Sequence, residues 1–498
     1  MSNKTLNIAS ILFIAGFVGF LIFASTRVSL NFDSSYNLLS YQSLFYGKGF
    51  YYEFDGKKIP FDPIISTGPE LYLPTFLIWK ILGKADYAIS HYVVITCYLI
   101  FFLFLMCFVL KKPGDRVLAL LFFLVWFFTN KNIFGIAYNQ YIDPLGEVPA
   151  AFFIFAGFYF IYINKFFFGF FLLGLALDTK PNVIIAVIPA LGLLVFQKFI
   201  LPEWKRKNYK LLAFICIKLT LMSSLMILPH LIYTKIVPYS VLDRQEWEMF
   251  KNANTERSRF VVSRAFGAIK VLYKNPDMNG VRSYLEEINR HLSKSSSFFN
   301  NSYISLGIFG VSLALLIVLS RGHFSFYLFI CSAIFIFWWF FVTADTWYRY
   351  FFIAEFMFIL GIIAALPFII IHHNRSGFIL LAALGIIFCA RFSLDNMKKS
   401  LNGEQRKDLL LMKDRIEKID EKKIYVYGWL QCPQLMFLSN KRFQDITSKS
   451  IKTLGKEGAF FLTSYENAII DNDMQQLTRN FDLIGAYGYN KLYRIKES

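Results

Sequence analysis

The chain has 498 residues, of which 56% are hydrophobic and only 17% charged. A soluble domain is ordinarily about 25% charged, so a water-soluble core cannot hide this much apolar surface and lipid must cover part of it. The net charge of +18 does not mark a nucleic-acid binder, because its Lys and Arg gather in short loops between apolar runs, as topology signals do. Of the six cysteines, all but Cys432 lie in apolar runs, where a buried thiol behaves as a small hydrophobe. They form no CxxC pair, and neither metal nor redox work is expected of them.

In chain order, apolar runs at 7–26, 88–110, 116–130, 146–163, 166–178, 181–198, 211–234, 303–320, 324–342, 347–371 and 377–391 predict about eleven spanning helices. The run at 166–178 is short for a bilayer and is expected to tilt or re-enter. No small-residue cleavage site follows the first run, and Arg27 stands just beyond it, which argues against a cleaved signal peptide. Lys4, Lys111, Lys112, Arg116, Lys198, the basic stretch from Lys205 to Lys210, Arg321 and Arg375 all fall on one side when helices alternate from an inside N-terminus. The positive-inside rule then gives an N-terminus inside and a C-terminus outside.

Residues 1–391 are read as a membrane module and 392–498 as a small soluble α/β domain on the outer side. Two further outer segments interrupt the module, at 27–87 and 235–302. The first contains Leu71 to Trp79, too short to span and broken by Pro74, which is expected to lie in the membrane interface. In the tail, a charged helix near 403–422 precedes a strand from Ile424 to Gly428. Segments at 434–439, 458–463 and 470–479 alternate helix and strand character, and Leu492 to Ile495 closes as a strand.

Four places together resemble the GT-C glycosyltransferases, polytopic enzymes that use polyprenyl-phosphate sugars and include protein mannosyltransferases and lipid A aminoarabinose transferases. They are Asn31 to Tyr36 (NFDSSY) followed by Tyr46 to Gly49, Ser66 to Pro69 leading into Leu71–Gly83, Gly174 to Pro181 (GLALDTKP), and Trp347 to Tyr350 (WYRY). The tail's Tyr427 to Pro433 is similar to the opening of an extracytoplasmic domain in some relatives. The likeness lies in the order and spacing of weak motifs. Ser34 follows Asp33 where the protein mannosyltransferases carry an Asp-Glu pair, and the Lys-Pro-Pro-like run of many lipid A enzymes is missing beside Thr67–Pro69. No subfamily is assigned.

The resemblance implies a GT-C-like helical fold and inverting transfer of a sugar from a polyprenyl phosphate to an envelope glycan, lipid or protein. Such chemistry needs a carboxylate to take the acceptor's proton and fixed cations for the leaving phosphate. Asp33, just outside the first span, matches the family's acidic position and is the candidate base; its plainer reading is a helix N-cap. Asp143 and Glu147 stand at i, i+4, on one face of a helix, either as helix-start signals or as an acid cluster beside the site. Lys180 and Arg349 are the candidate donor-phosphate ligands. Their plainer partners are Asp178 for Lys180, and Asp345 and Glu355 for Arg349.

No cofactor is expected. A divalent metal would need Asp33 with Asp143 and Glu147, too sparse an acidic set to favour one, and His372-His373 fall in a cytoplasmic loop away from the site. His230 and His291 lie outward and offer binding groups, as do Trp79 and the tyrosines of 46–52 for a sugar ring or the membrane interface. The rival readings are a lipid-linked glycan flippase or transporter, and an O-antigen ligase or polymerase. Transporters carry broken helices in matching halves with midplane sites, whereas the chemistry-bearing residues here cluster at the outer edge.

Overall fold

The computed structural model describes residues 2–30, 32–54, 57–60, 69–129, 142–231, 244–245, 248, 252, 265–298, 303–344, 348–372, 403–419, 423–427, 432–439, 441–445, 460–463, 481–487 and 490–495. Ten of the eleven apolar runs coincide with helices. These are α1 (Asn3–Ser25), α4 (Ala88–Val109), α5 (Pro113–Thr129), α6 (Glu147–Tyr162), α7 (Phe166–Thr179), α8 (Pro181–Lys205), α9 (Tyr209–Leu231), α12 (Tyr303–Leu319), α13 (Ser325–Phe341) and α14 (Tyr348–His372). The eleventh, 377–391, lies outside the described residues. Among the described residues α1, α4, α8 and α9 are long and apolar enough to cross a membrane. Helices of 14–17 residues such as α6 and α7 reach roughly 21–26 Å, just short of a ~30 Å hydrocarbon core.

The core of the membrane part is aromatic. Phe17 of α1 meets Tyr98, Phe102, Phe123 and Phe127 edge-on at 4.8–5.7 Å, tying α1 to α4 and α5. Phe101 stacks on Phe152 at 4.1 Å, tying α4 to α6. In lipid, where helices gain little from hiding apolar groups from one another, small residues set how closely backbones approach. A Cβ on Gly169 of α7 would lie 3.0 Å from the Gly157 carbonyl of α6, and one on Gly174 would lie 2.8 Å from the Met226 backbone of α9. The short α7 is therefore clasped between its neighbours, which fixes where its C-terminal end delivers the next residue.

Between α1 and α4, α2 (Phe32–Phe45), the hairpin β1 (Tyr51–Phe54) and β2 (Lys57–Pro60), and α3 (Pro69–Leu82) pack as one layer. Helix α3 has two apolar faces. Leu71, Tyr72, Thr75 and Trp79 are buried against the protein, while Leu73, Leu77 and Ile81, four residues apart, are 45%, 52% and 83% exposed. That pairing of faces suits a helix lying in the membrane interface.

The tail comprises α15 (Glu404–Glu417), β3 (Lys423–Tyr427), α16 (Cys432–Leu438), β4 (Arg442–Asp445), β5 (Phe460–Thr463), β6 (Phe481–Tyr487) and β7 (Asn490–Ile495). Its sheet runs β4-β3-β5-β7-β6, with β4, β3 and β5 parallel and β7 antiparallel to both neighbours. Strands β4 and β6 and the β1–β2 hairpin have no counterpart in the sequence pattern, and segment 470–479 lies outside the described residues. The tail seats on α2 and on the end of α1. Gln42 of α2 donates to the Phe437 carbonyl at 3.0 Å, and Arg406 of α15 donates to the Ser25 carbonyl at 3.2 Å and to that of Thr26, where α1 ends.

Candidate active site

The turn between Ile142 and Gly146, just before α6, is where the candidate residues converge. Gly146 has φ of 90°, a conformation glycine adopts without strain, so the chain cannot run helically from Asp143 into α6. The Leu145 amide closes a tight turn on the Asp143 carbonyl at 2.8 Å. Asp143 and Glu147 consequently do not sit side by side on one helix face, and Asp143 is not the N-cap of α6. Each carboxylate is aimed at a different partner.

Asp143 meets His91, in the first turn of α4, with Nε2 and Oδ1 2.7 Å apart and both side chains fully buried. Burial holds the Asp143 carboxyl above the usual carboxylate range; the His91 contact pulls it back down, and the neighbouring charges of Glu147 and Asp33 push it up. The other oxygen, Oδ2, has no hydrogen-bond partner among the described residues. Glu147, the first residue of α6, pairs with the Lys180 ammonium at 2.7 Å.

Lys180 owes its position to the residue after it. A proline disfavours the helical conformation in its predecessor, so α7 stops at Thr179 and Lys180 turns extended, at φ −146° and ψ 90°. Its side chain reaches across to the Leu145 carbonyl at 3.0 Å and to Glu147. The expected plain partner, Asp178, instead faces His230 of α9 at 3.1 Å. The turn is held from a third side by α2 and α3, where Asn37 donates to the Tyr72 hydroxyl at 3.1 Å and Tyr72 donates to the Pro144 carbonyl.

Asp33 is the second residue of α2, half-buried, and its carbonyl accepts from Asn37 at 3.1 Å. It stands in the first turn rather than at the N-cap, a place where the helix dipole favours an acid. Its charge acts on Asp143, which places the two carboxylates in one electrostatic neighbourhood. Arg349 is the second residue of α14; only its backbone is described. His291 is fully buried, donates from Nδ1 to the Glu287 carbonyl at 2.9 Å and packs edge-on to Trp339. Trp79 is also fully buried, its indole donating to the Asp86 carbonyl at 2.7 Å and its ring 5.8 Å from Phe437, so it is packing rather than a sugar platform. Among the described residues no group of three or more His, Cys, Asp or Glu is placed to hold a metal ion.

His91 and Tyr72 were not singled out by sequence reasoning. An imidazole near the start of an apolar run was the available signal for His91, since an ionisable group at membrane depth is costly without a partner. Nothing in the sequence marks Tyr72 apart from the other tyrosines.

The apo crystal structure of ArnT from Cupriavidus metallidurans matches this architecture with a TM-score of 0.56 over 97% of each chain. The fold is GT-C. At 12% sequence identity the likeness to ArnT is one of fold, and it spans the membrane helices and the tail together. No family model matches the chain, and no curated protein matches it.

Proposed function

We propose that this protein is a membrane glycosyltransferase that moves a sugar from a polyprenyl-phosphate donor to an envelope glycan, lipid or protein at the outer face of a bacterial cytoplasmic membrane. The observation that carries the reading is the Lys180 ammonium, held at Glu147 and the Leu145 carbonyl in the same turn as the Asp143 carboxylate, in a chain of GT-C fold.

In this reading Asp33 is the base. It is half-buried, within reach of an acceptor, whereas Asp143 and Glu147 are fully buried. As the acceptor oxygen attacks the anomeric carbon, Asp33 takes its proton and the glycosyl–phosphate bond breaks with inversion. Negative charge grows on the departing lipid phosphate, where Lys180 and Arg349 stabilise it. The buried acids have separate work: Glu147 holds the Lys180 ammonium in place, and Asp143 with His91 fixes the turn from which Leu145 and Glu147 reach that ammonium. No metal takes part.

The test is transfer by the purified chain in lipid nanodiscs. A panel of undecaprenyl-phosphate sugars is supplied, release of undecaprenyl phosphate is followed, and surface glycans of cells with and without the gene are compared by mass spectrometry. Glycans unchanged by loss of the gene, together with no release from any donor, would remove the proposal.

A further inference from the structure

The outer segment 235–302 contains a helical hairpin, α10 (Gly267–Lys274) and α11 (Met278–Phe298), that the transfer chemistry does not use. It is fastened to the outer end of α13 by backbone and side-chain contacts. The Ala268 amide donates to the Val342 carbonyl at 3.1 Å, the Trp338 indole to the Ala265 carbonyl at 2.9 Å, and the Tyr284 hydroxyl to the Phe341 carbonyl at 2.9 Å. Arg290 donates to the Ala344 carbonyl at 3.2 Å, and Gly267 lies so close to Ala344 that a Cβ there would meet it at 2.5 Å.

Helix α11 divides into three sectors. Gly280, Tyr284, Glu287 and His291 face the protein and are buried or half-buried. Asn279, Arg282, Ser283, Glu286 and Asn289 are exposed and polar. Between these two sectors Met278, Val281 and Leu285 fall within roughly 60° at about 100° per residue, and they are 81%, 38% and 57% exposed. At the start of α10 and along it, Phe266, Ile269 and Tyr273 recur on one helical face and are exposed, Tyr273 at 88%. Exposed apolar residues scattered singly are ordinary, but a contiguous strip of this kind marks an interaction surface.

We propose that this strip docks into the outer interfacial zone of the bilayer, so that the hairpin lies flat on the membrane beside α13. The order of the sectors favours lipid over a protein partner. A helix lying on a membrane at the edge of a bundle packs one side on the protein, turns the next to hydrocarbon and the third to water. The helix to which the hairpin is fastened also exposes apolar side chains at that end, Phe337 and Phe341 at 59% and 39%. Because the hairpin grips the chain at Val342 and Ala344, docking also holds the end of α13.

The test places a benzophenone amino acid at Tyr273, Leu285 or Ser283, one at a time, in the full-length protein in phosphatidylcholine nanodiscs. All three are exposed positions, and retention of the parent thermal transition confirms that each variant is folded. After irradiation, mass spectrometry should find acyl-chain adducts at 273 and 285 and none above background at 283. Cross-links from 273 and 285 to a second copy or another protein, adducts with solvent only, or equal lipid labelling at all three positions would each overturn the proposal. The readout needs no transfer activity, so it stands or falls separately from the enzymatic reading.

Discussion

The ammonium of Lys180 lies 2.7 Å from a carboxylate oxygen of Glu147, with the lysine side chain 14% exposed and the glutamate fully buried. The pair joins the end of α7 to the start of α6. It holds in place a cation that would otherwise be drawn toward water.

Removing one member of such a pair strands the other charge, which typically costs about 3–5 kcal/mol. Lys180→Met should therefore destabilise the folded protein more than Glu147→Gln, because Lys180 has some access to water and Glu147 has none. The double variant Lys180→Met/Glu147→Leu should recover much of the loss. Thermal unfolding in nanodiscs measures all three; additive losses in the double variant would show that the pair is not coupled.

Asp33→Asn should leave stability nearly unchanged, since the acid sits exposed to solvent in part and its favourable place in the first turn of α2 is typically worth about 0.3–1 kcal/mol. Loss of general-base help should lower transfer by about 10²–10⁴-fold. Folded Asp33→Asn protein with near-normal transfer would leave the residue a helix-start acid and nothing more.

The pH dependence of stability should carry the mark of Asp143. Burial raises its carboxyl in the folded state above the unfolded value, ordinarily about 3.9. A raised group contributes stability that is fully present below the unfolded pKa and is lost as pH rises through the folded one. The thermal midpoint of the parent minus that of Asp143→Asn should therefore fall as pH rises out of the acid range. A difference that grows with pH would mean that His91 dominates and that the folded carboxyl is depressed instead.

Trp79 is fully buried between α3 and the tail helix α16. Trp79→Ala should cost about 3–5 kcal/mol, the usual range for emptying a large aromatic site. The loss should show as a lowered thermal midpoint and faster hydrogen exchange in Cys432–Leu438. An unchanged midpoint with weakened sugar binding would instead restore the stacking role.

Arg406 is bonded to the chain where α1 ends, so the tail shares the compartment into which α1 emerges. With the basic loops on the opposite side, reporter fusions after Ser498 and within 236–302 should both read as outside. A cytoplasmic reading at Ser498 would put the tail and Asp33 on the inner face and contradict the proposed reaction.

The sequence by itself determined where the helices lie, because a chain in lipid must satisfy its backbone internally over long apolar runs and those runs are visible one residue at a time. It also determined that Lys180 must leave its helix, since Pro181 dictates the conformation before it, and that a helix would start beside Asp33 just past α1, though the acid stands inside the first turn of that helix and not at its cap. It did not contain the partners. His91 and Asp143 are 52 positions apart and Lys180 and Leu145 are 35 apart, and helical periodicity says which face a residue occupies but not which helix it faces. That choice was made by the close approach of α6, α7 and α9 at Gly157, Gly169 and Gly174. It delivered Lys180 to Glu147 and left Asp178 to His230. Strands of four residues such as Arg442–Asp445 were decided the same way: so short a segment has no pattern of its own and becomes a strand only when Lys423–Tyr427 lies beside it.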